Sequence, residues 1–248
     1  MPSVSPFRAW PRLMAACICL FAVLPSAQAA LTISSTRIIH VSDRQSASVI
    51  VANPSKRPYA AQIWVNTETD DTTTAVPLIA SPALTQLEPG SEQTVQINRL
   101  PNDLPTDRET LFYFNVQEIP QTEENAPNAL TFALRTRIKL FYRPSELKGR
   151  ADEQAQAMTW SLQQIDGKPH LVVDNPTPYH YTFGRLELTQ AGSTERLEAR
   201  AMAIPKGRQT YPLLQLTHQV PAQLTFTTIN DFGAMSEPTI RQVASAQR

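Results

Sequence analysis

Few residues of this chain stand in spacings that support catalysis. The histidines His40, His170, His180 and His218 are scattered, and none belongs to an H-E-x-x-H or other paired metal spacing. There is no G-x-S-x-G elbow, no P-loop and no G-x-G-x-x-G turn. Acidic pairs such as Asp70-Asp71, Glu123-Glu124 and Asp152-Glu153 read as solvated loop surface. One charged residue has an unusual setting. Lys139 interrupts the apolar run Ile138 to Tyr142, near the end of the segment LTFALRTRIKLFYRP, Leu130 to Pro144. The first half of that segment alternates, with Leu130, Phe132 and Leu134 on one side and Thr131, Ala133 and Arg135 on the other. Side chains of a strand point to opposite faces in turn, so this is a β-strand with one large apolar face. An apolar comb running into an embedded cation suits binding: the comb meets another protein, and the cation meets that partner's anion. Lys139 and Leu134 are an odd number apart, so strict alternation sets them on opposite faces, and sharing one face would require a bulge or a strong twist.

The elements that hold this strand belong to an exported chain. Arg8 and Arg12 precede the apolar stretch Leu13 to Leu24, and Ala27-Gln28-Ala29 supplies a small-x-small cleavage signal, so residues 1–29 read as a signal peptide cut after Ala29. The apolar stretch falls well short of the roughly 20 residues that span a bilayer. Cys17 and Cys19 both lie in that leader, leaving a mature chain without disulfides or thiolate metal sites. Without Arg8 and Arg12, 20 basic residues face 22 acidic ones, and no basic run forms a nucleic-acid patch. No later segment is apolar enough to enter a membrane.

Proline is abundant, with 21 residues, and glycine scarce, with 7. Short alternating runs recur between Pro, Asn, Asp and Gly, which is the pattern of an all-β chain of sandwiches. The first half predicts strands at Leu31–Val41, Ala47–Ala52, Ala60–Thr67, Pro77–Ile79, Gln93–Leu100, Thr110–Glu118 and Ala129–Tyr142. Seven strands is the immunoglobulin-like count. Pro144 cannot continue a central ladder and opens a linker. The second half predicts Met158–Gln164, His170–Asp174, Tyr181–Thr189, Arg196–Ala203, Thr210–Leu214, Gln223–Asn230 and Thr239–Val243, with a frayed tail beyond. The expected domains are 30–147 and 148–248. Asn53-Pro54 and Asn175-Pro176 end corresponding second strands of the two halves.

Five strings in order along the chain resemble the periplasmic pilus chaperones of the PapD and FimC type. They are Thr36-Arg37, the run Asp107 to Asn115, the run Ile138 to Pro144, the run Asn175 to Tyr179, and the run Ile229 to Gly233. The resemblance implies two immunoglobulin-like β-sandwich domains in a bent arrangement, with no enzymatic activity, cofactor, metal or ATP. It implies that the partners are pilin subunits and an outer-membrane usher, met in the periplasm. In this family the chaperone lends its strand to a subunit whose fold lacks one. By position, Leu130, Phe132 and Leu134 are the donor side chains. Arg37 and Lys139, with Thr36, match the anchor for the subunit's C-terminal carboxylate, and Glu109, Arg143 and Asp231 match an ion-pair network between domains. Ser81-Pro82 matches a cis bond. The family's frequent disulfide late in the second domain is missing here, and the short loop from Pro120 to Asn128 resembles the branch serving rod-like pili. The rival expectation is a secreted two-domain adhesion or carbohydrate-binding module, which would place aromatic platforms in loops.

Overall fold

Valine and isoleucine at every second position decide which sheet faces meet. The computed structural model describes residues 31–71, 73–120, 133–216 and 221–245. Its first unit contains β1 (Thr32–Ile33), β2 (Arg37–Val41), β3 (Ser46–Ala52), β4 (Tyr59–Asn66), β5 (Leu78–Ser81), β6 (Leu84–Leu87), β7 (Glu92–Arg99), β8 (Thr110–Pro120) and β9 (Arg135–Arg143). One sheet runs β1-β3-β7-β5 and the facing sheet runs β2-β9-β8-β4-β6. Val49, Val51, Val95 and Ile97 of the first meet Ala61, Ile63, Phe112, Phe114, Val116, Leu140 and Tyr142 of the second in a buried core. Burying each of the larger aliphatic or aromatic side chains is worth about 1.5–3 kcal/mol. The Ser81-Pro82 bond is cis.

The predicted strand Leu31–Val41 is in fact two strands. β1 pairs antiparallel with β3, Thr32 opposite Ala52, whereas β2 pairs parallel with β9, Arg37 opposite Lys139. Ser34 to Thr36 carry the chain across between sheets, and the Ser34 N–H donates to the Ile50 carbonyl at 2.9 Å. The short strand β6 escaped the sequence reading because four residues, Leu84 among them exposed, give too little alternation to register. Among the described residues the last strand of this unit starts at Arg135 rather than Ala129. Ala133 and Leu134 precede it outside any strand, and residues 121–132 lie outside the described residues. The predicted leader and the tail beyond Ser245 also lie outside them.

The second unit opens with the one-turn helix α1 (Ala151–Gln154) and a 3₁₀ turn (Ala155–Ala157). Strands β10 (Thr159–Ile165), β11 (Lys168–Asn175), β12 (Phe183–Gln190), β13 (Ser193–Arg196), β14 (Gly207–Pro212), β15 (Ala222–Thr228) and β16 (Thr239–Ser245) follow. Their order is β13-β12-β15-β16-β10-β11-β14. β16 makes the corner, antiparallel to β15 over Thr239–Val243 and parallel to β10 at its end. Trp160, Phe183, Phe226 and Tyr211 form the aromatic heart of the core. The expected strand Arg196–Ala203 does not form. Its apolar residues Leu197 and Ala203 do enter the core, but from a loop, and β13 ends where that loop begins.

The two Asn-Pro turns share one hydrogen-bond scheme. Asn53, buried, donates through Nδ2 to the carbonyls of Arg57 (2.8 Å) and Leu87 (2.9 Å), and its Oδ1 accepts the Ser55 N–H (3.0 Å) and hydroxyl (2.6 Å). Asn175, also buried, donates to the carbonyls of Tyr179 (2.8 Å) and Ile204 (2.9 Å), and accepts from the Thr177 N–H (3.1 Å) and hydroxyl (2.8 Å). In each unit one side chain thus satisfies a tight turn that would otherwise bury unpaired backbone groups.

Candidate functional site: a cationic cleft at an open strand edge

The departure of β1 to the other sheet has a direct consequence for β9. β8 pairs with β9 along its whole length, Gln117 opposite Arg135 through Thr110 opposite Tyr142. On its other edge β2 covers only Lys139 to Arg143. Among the described residues nothing pairs with that edge from Arg135 to Ile138. A row of free N–H and C=O groups on an edge is a template for another chain.

The cations sit where this open edge ends. Arg37 and Lys139 are register partners in parallel strands and so share one face. Both are largely buried. Arg37 donates through Nη1 to the Ile229 carbonyl at 2.9 Å and lies over the Phe141 ring at 5.9 Å, and its buried Nε has no hydrogen-bond partner among the described residues. Burial lowers the Arg37 pKa, against the pull of Asp231 and Glu109. Lys139 Nζ donates to the Thr182 hydroxyl at 2.9 Å. Burial first, and the charge of Arg37 second, push its pKa down to about 8, with only Glu68 acting against them. Two adjacent, half-desolvated cations that have no carboxylate in hydrogen-bond contact among the described residues form a ready site for an anion. Thr36 is exposed and stands against Gly233, where an added Cβ would collide with its Oγ1.

A second cluster joins the two units. Arg143 Nε donates to Glu109 Oε1 at 2.7 Å, and its Nη1 and Nη2 donate to the two oxygens of Asp231 at 2.6 and 2.8 Å. Burial alone would lower the Arg143 pKa, but these hydrogen bonds and charges outweigh it and raise it. Glu109 is buried, and its Oε2 accepts the backbone N–H of His180 at 2.8 Å. The Asp231 turn is held by Asn230, whose Oδ1 accepts the N–H groups of Phe232 and Ala234, each at 3.0 Å. Lys206 reaches back across the boundary to Asp107 at 2.6 Å, and the shared hydrogen bonds of Arg108 and Lys206 hold that carboxylate well below its ordinary range.

The structure therefore brings Arg37, Lys139 and Thr36 to one cleft and Glu109, Arg143 and Asp231 to one hub. Of the three comb residues only Leu134 is described. It is 53% exposed, takes no part in the core, and its carbonyl accepts the Glu118 N–H at 2.9 Å. Leu130 and Phe132 lie outside the described residues. The register between β8 and β9 runs without a shift, so no bulge turns Lys139 towards the comb face. Leu134 shares the parity of Ile138, Leu140 and Tyr142, which face the core, while Lys139 and Phe141 face the second unit. Sequence reasoning missed Thr182, His180 and the Ile229 carbonyl. None carries a local signal, because each matters only through its position across the boundary.

Comparison with known proteins agrees with this geometry. A family model described as the pili and flagellar-assembly chaperone, PapD N-terminal domain, matches residues 30–148, and that of the pili assembly chaperone PapD, C-terminal domain, matches residues 153–240. The chaperone protein PapD of Escherichia coli is 34% identical over 240 residues, covering 96% of this chain and 95% of that one. The probable fimbrial chaperone YadV of Escherichia coli is 34% identical over 225 residues, covering 87% and 91%. The crystal structure of the YadV chaperone matches with a TM-score of 0.75 at 32% identity, over 87% of this chain and 100% of that one. A chain from the complex of the Salmonella enterica SafA pilin with the SafB chaperone matches with a TM-score of 0.73 at 25% identity, over 88% and 99%. With a buried core in each half, an open strand edge and a cationic cleft between the halves, the chain belongs to the PapD family of pili assembly chaperones.

Proposed function

We propose that this protein is a periplasmic chaperone that binds, folds and caps pilin subunits by lending them a strand, then delivers them to an outer-membrane usher. The observation that carries this reading is the open edge of β9 over Arg135–Ile138, which ends at Arg37 and Lys139. A subunit strand laid on that edge gains main-chain hydrogen bonds, and its terminal carboxylate reaches the cationic pair. With the carboxylate fixed at Lys139 and the strand lying towards Arg135, the subunit strand runs parallel to β9. The similar structure of the SafA pilin in complex with the SafB chaperone supports a pilin as the partner.

In this reading Arg37 and Lys139 anchor the carboxylate with help from Thr36, and Leu130, Phe132 and Leu134 fill the subunit's groove. Glu109, Arg143 and Asp231 set the angle between domains 30–147 and 148–248. The leader through Ala29 directs export, and hand-over draws its energy from the subunit completing its fold with a neighbour's extension. Tagged mature protein co-expressed with the major pilin subunits of the same genome tests this. A one-to-one complex from the wild type that is lost in Lys139→Ala is expected. No complex with any subunit, from a folded protein, overturns it.

A further inference from the structure

β9 exposes two faces beside its open edge, and on the face opposite the comb only Lys139 has been given a task. The other face carries Arg135 and Arg137 ahead of Lys139. Both arginines are held in place rather than left free. Arg135 lies over the Trp64 ring at 4.8 Å, donates through Nε and Nη2 to Asn115 Oδ1 at 3.1 and 2.7 Å, and pairs with both oxygens of Asp70. Arg137 lies over the Tyr113 ring at 3.7 Å. Its Nη2 donates to the carbonyls of Thr67 at 2.6 Å and Glu68 at 3.2 Å, while its buried Nε makes no hydrogen bond and stands 4.0 Å from Asp70. Arg135 is thus matched by a carboxylate, whereas Arg137 is fixed mostly by neutral carbonyl oxygens that leave its charge in place.

We infer that Arg137, seconded by Arg135, reads acidic side chains on the outward face of the captured strand; this inference rests on the strand-lending function proposed above. The register follows from the fold. An incoming strand continues the line that β2 occupies further along, and β2 side chains share faces with their β9 partners. Its residue opposite Arg137, and the one two positions earlier opposite Arg135, therefore meet the cationic face. The residues opposite Thr136 and Ile138 fall on the comb side and enter the subunit core. A fitting strand alternates apolar and acidic residues and ends in a free carboxylate. Opposite charges on facing strands attract and like charges repel, so two such positions bias the choice of subunit.

Two synthetic peptides test this against the whole mature protein. They share length, alternating apolar residues and a free C-terminal carboxylate, and differ at the two outward positions nearest that end, glutamate in one and lysine in the other. The glutamate peptide is expected to bind about tenfold more tightly. The gap should shrink at high salt, close in Arg137→Gln and reopen in Arg137→Lys, with all variants still giving the circular dichroism spectrum of the folded protein. Equal binding of both peptides to the wild type, or a gap that persists in Arg137→Gln, overturns the inference and leaves strand capture standing. Binding of neither peptide overturns strand capture, and the inference falls with it.

Discussion

At Lys139 burial and function pull in opposite directions. The folded chain holds its pKa near 8, while an unfolded lysine titrates near its ordinary value of 10.5. Between these values the unfolded state binds the extra proton, so stability of the free protein should rise as pH increases from about 8 towards 10. Above that window the raised pKa values of Tyr113, Tyr179, Tyr181 and Tyr211 act the other way. Subunit affinity should follow the opposite course, falling as pH rises through about 8 because the proposed anchor Lys139 loses its charge. Titration of the complex by calorimetry across this range checks the fall, and Lys139→Arg should flatten it. The hub behaves differently. Arg143→Ala takes the arginine from the buried Glu109 carboxylate and leaves it only its His180 contacts, and should cost about 3 kcal/mol in chemical denaturation. Asp231→Asn removes a more exposed partner and should cost about 1 kcal/mol or less.

At the level of the strand, Leu134 separates the two tasks of β9. It is half exposed, whereas Leu140, of the same parity, is fully buried. Leu134→Glu should therefore change the stability of the isolated protein by no more than about 0.5 kcal/mol and still abolish subunit capture; unfolding of the isolated variant would show that Leu134 supports the core. The second half of the predicted strand, Ile138 to Tyr142, was legible in its apolar run, as were most strands around it, whereas of the alternating half only Arg135 falls in β9 among the described residues. Its open edge was not legible, because that edge exists only where β1 leaves for the opposite sheet at Ser34 to Thr36. Periodicity tells which face of a strand is apolar and says nothing about which neighbour has gone missing. The residues 196–203 failed for a related reason: Leu197 and Ala203 are buried at strand-like spacing, yet from a loop. The Asn-Pro turns were read as punctuation, but each asparagine side chain holds its turn from inside the core. Asn175→Ala should leave the Tyr179 and Ile204 carbonyls without their donor and lower the stability of the second domain by about 3 kcal/mol, measured by its own unfolding transition.

At the scale of the whole molecule, the two domains meet through contacts that are individually short and chemically varied. Arg37 reaches the Ile229 carbonyl, Lys139 the Thr182 hydroxyl, Glu109 the His180 N–H, Arg143 the Asp231 carboxylate, and Lys206 reaches back to Asp107. The two cations proposed to hold the subunit are thereby tied to the second domain before any subunit arrives, so cleft geometry and anchor geometry are one problem. Gly233 marks the tightest point, with φ at +84° and its backbone pressed against Thr36. Gly233→Ala should open the cleft, seen as a larger radius of gyration in small-angle scattering, and weaken capture although no binding residue has changed.

The aromatic residues described above also place an optical reporter in each half of the molecule. Of the three tryptophans, Trp10 belongs to the predicted leader, Trp64 lies beneath the Arg135 guanidinium beside the open edge, and Trp160 is buried against Phe183 and Phe226. Emission from Trp64 should respond when a strand settles on the edge and shifts Arg135, while Trp160 should stay silent until the second domain melts. Replacing Trp160 with phenylalanine would leave Trp64 as the one tryptophan after the predicted leader, selectable by exciting at the red edge where the six tyrosines barely absorb. Strand capture could then be followed in real time without a dye.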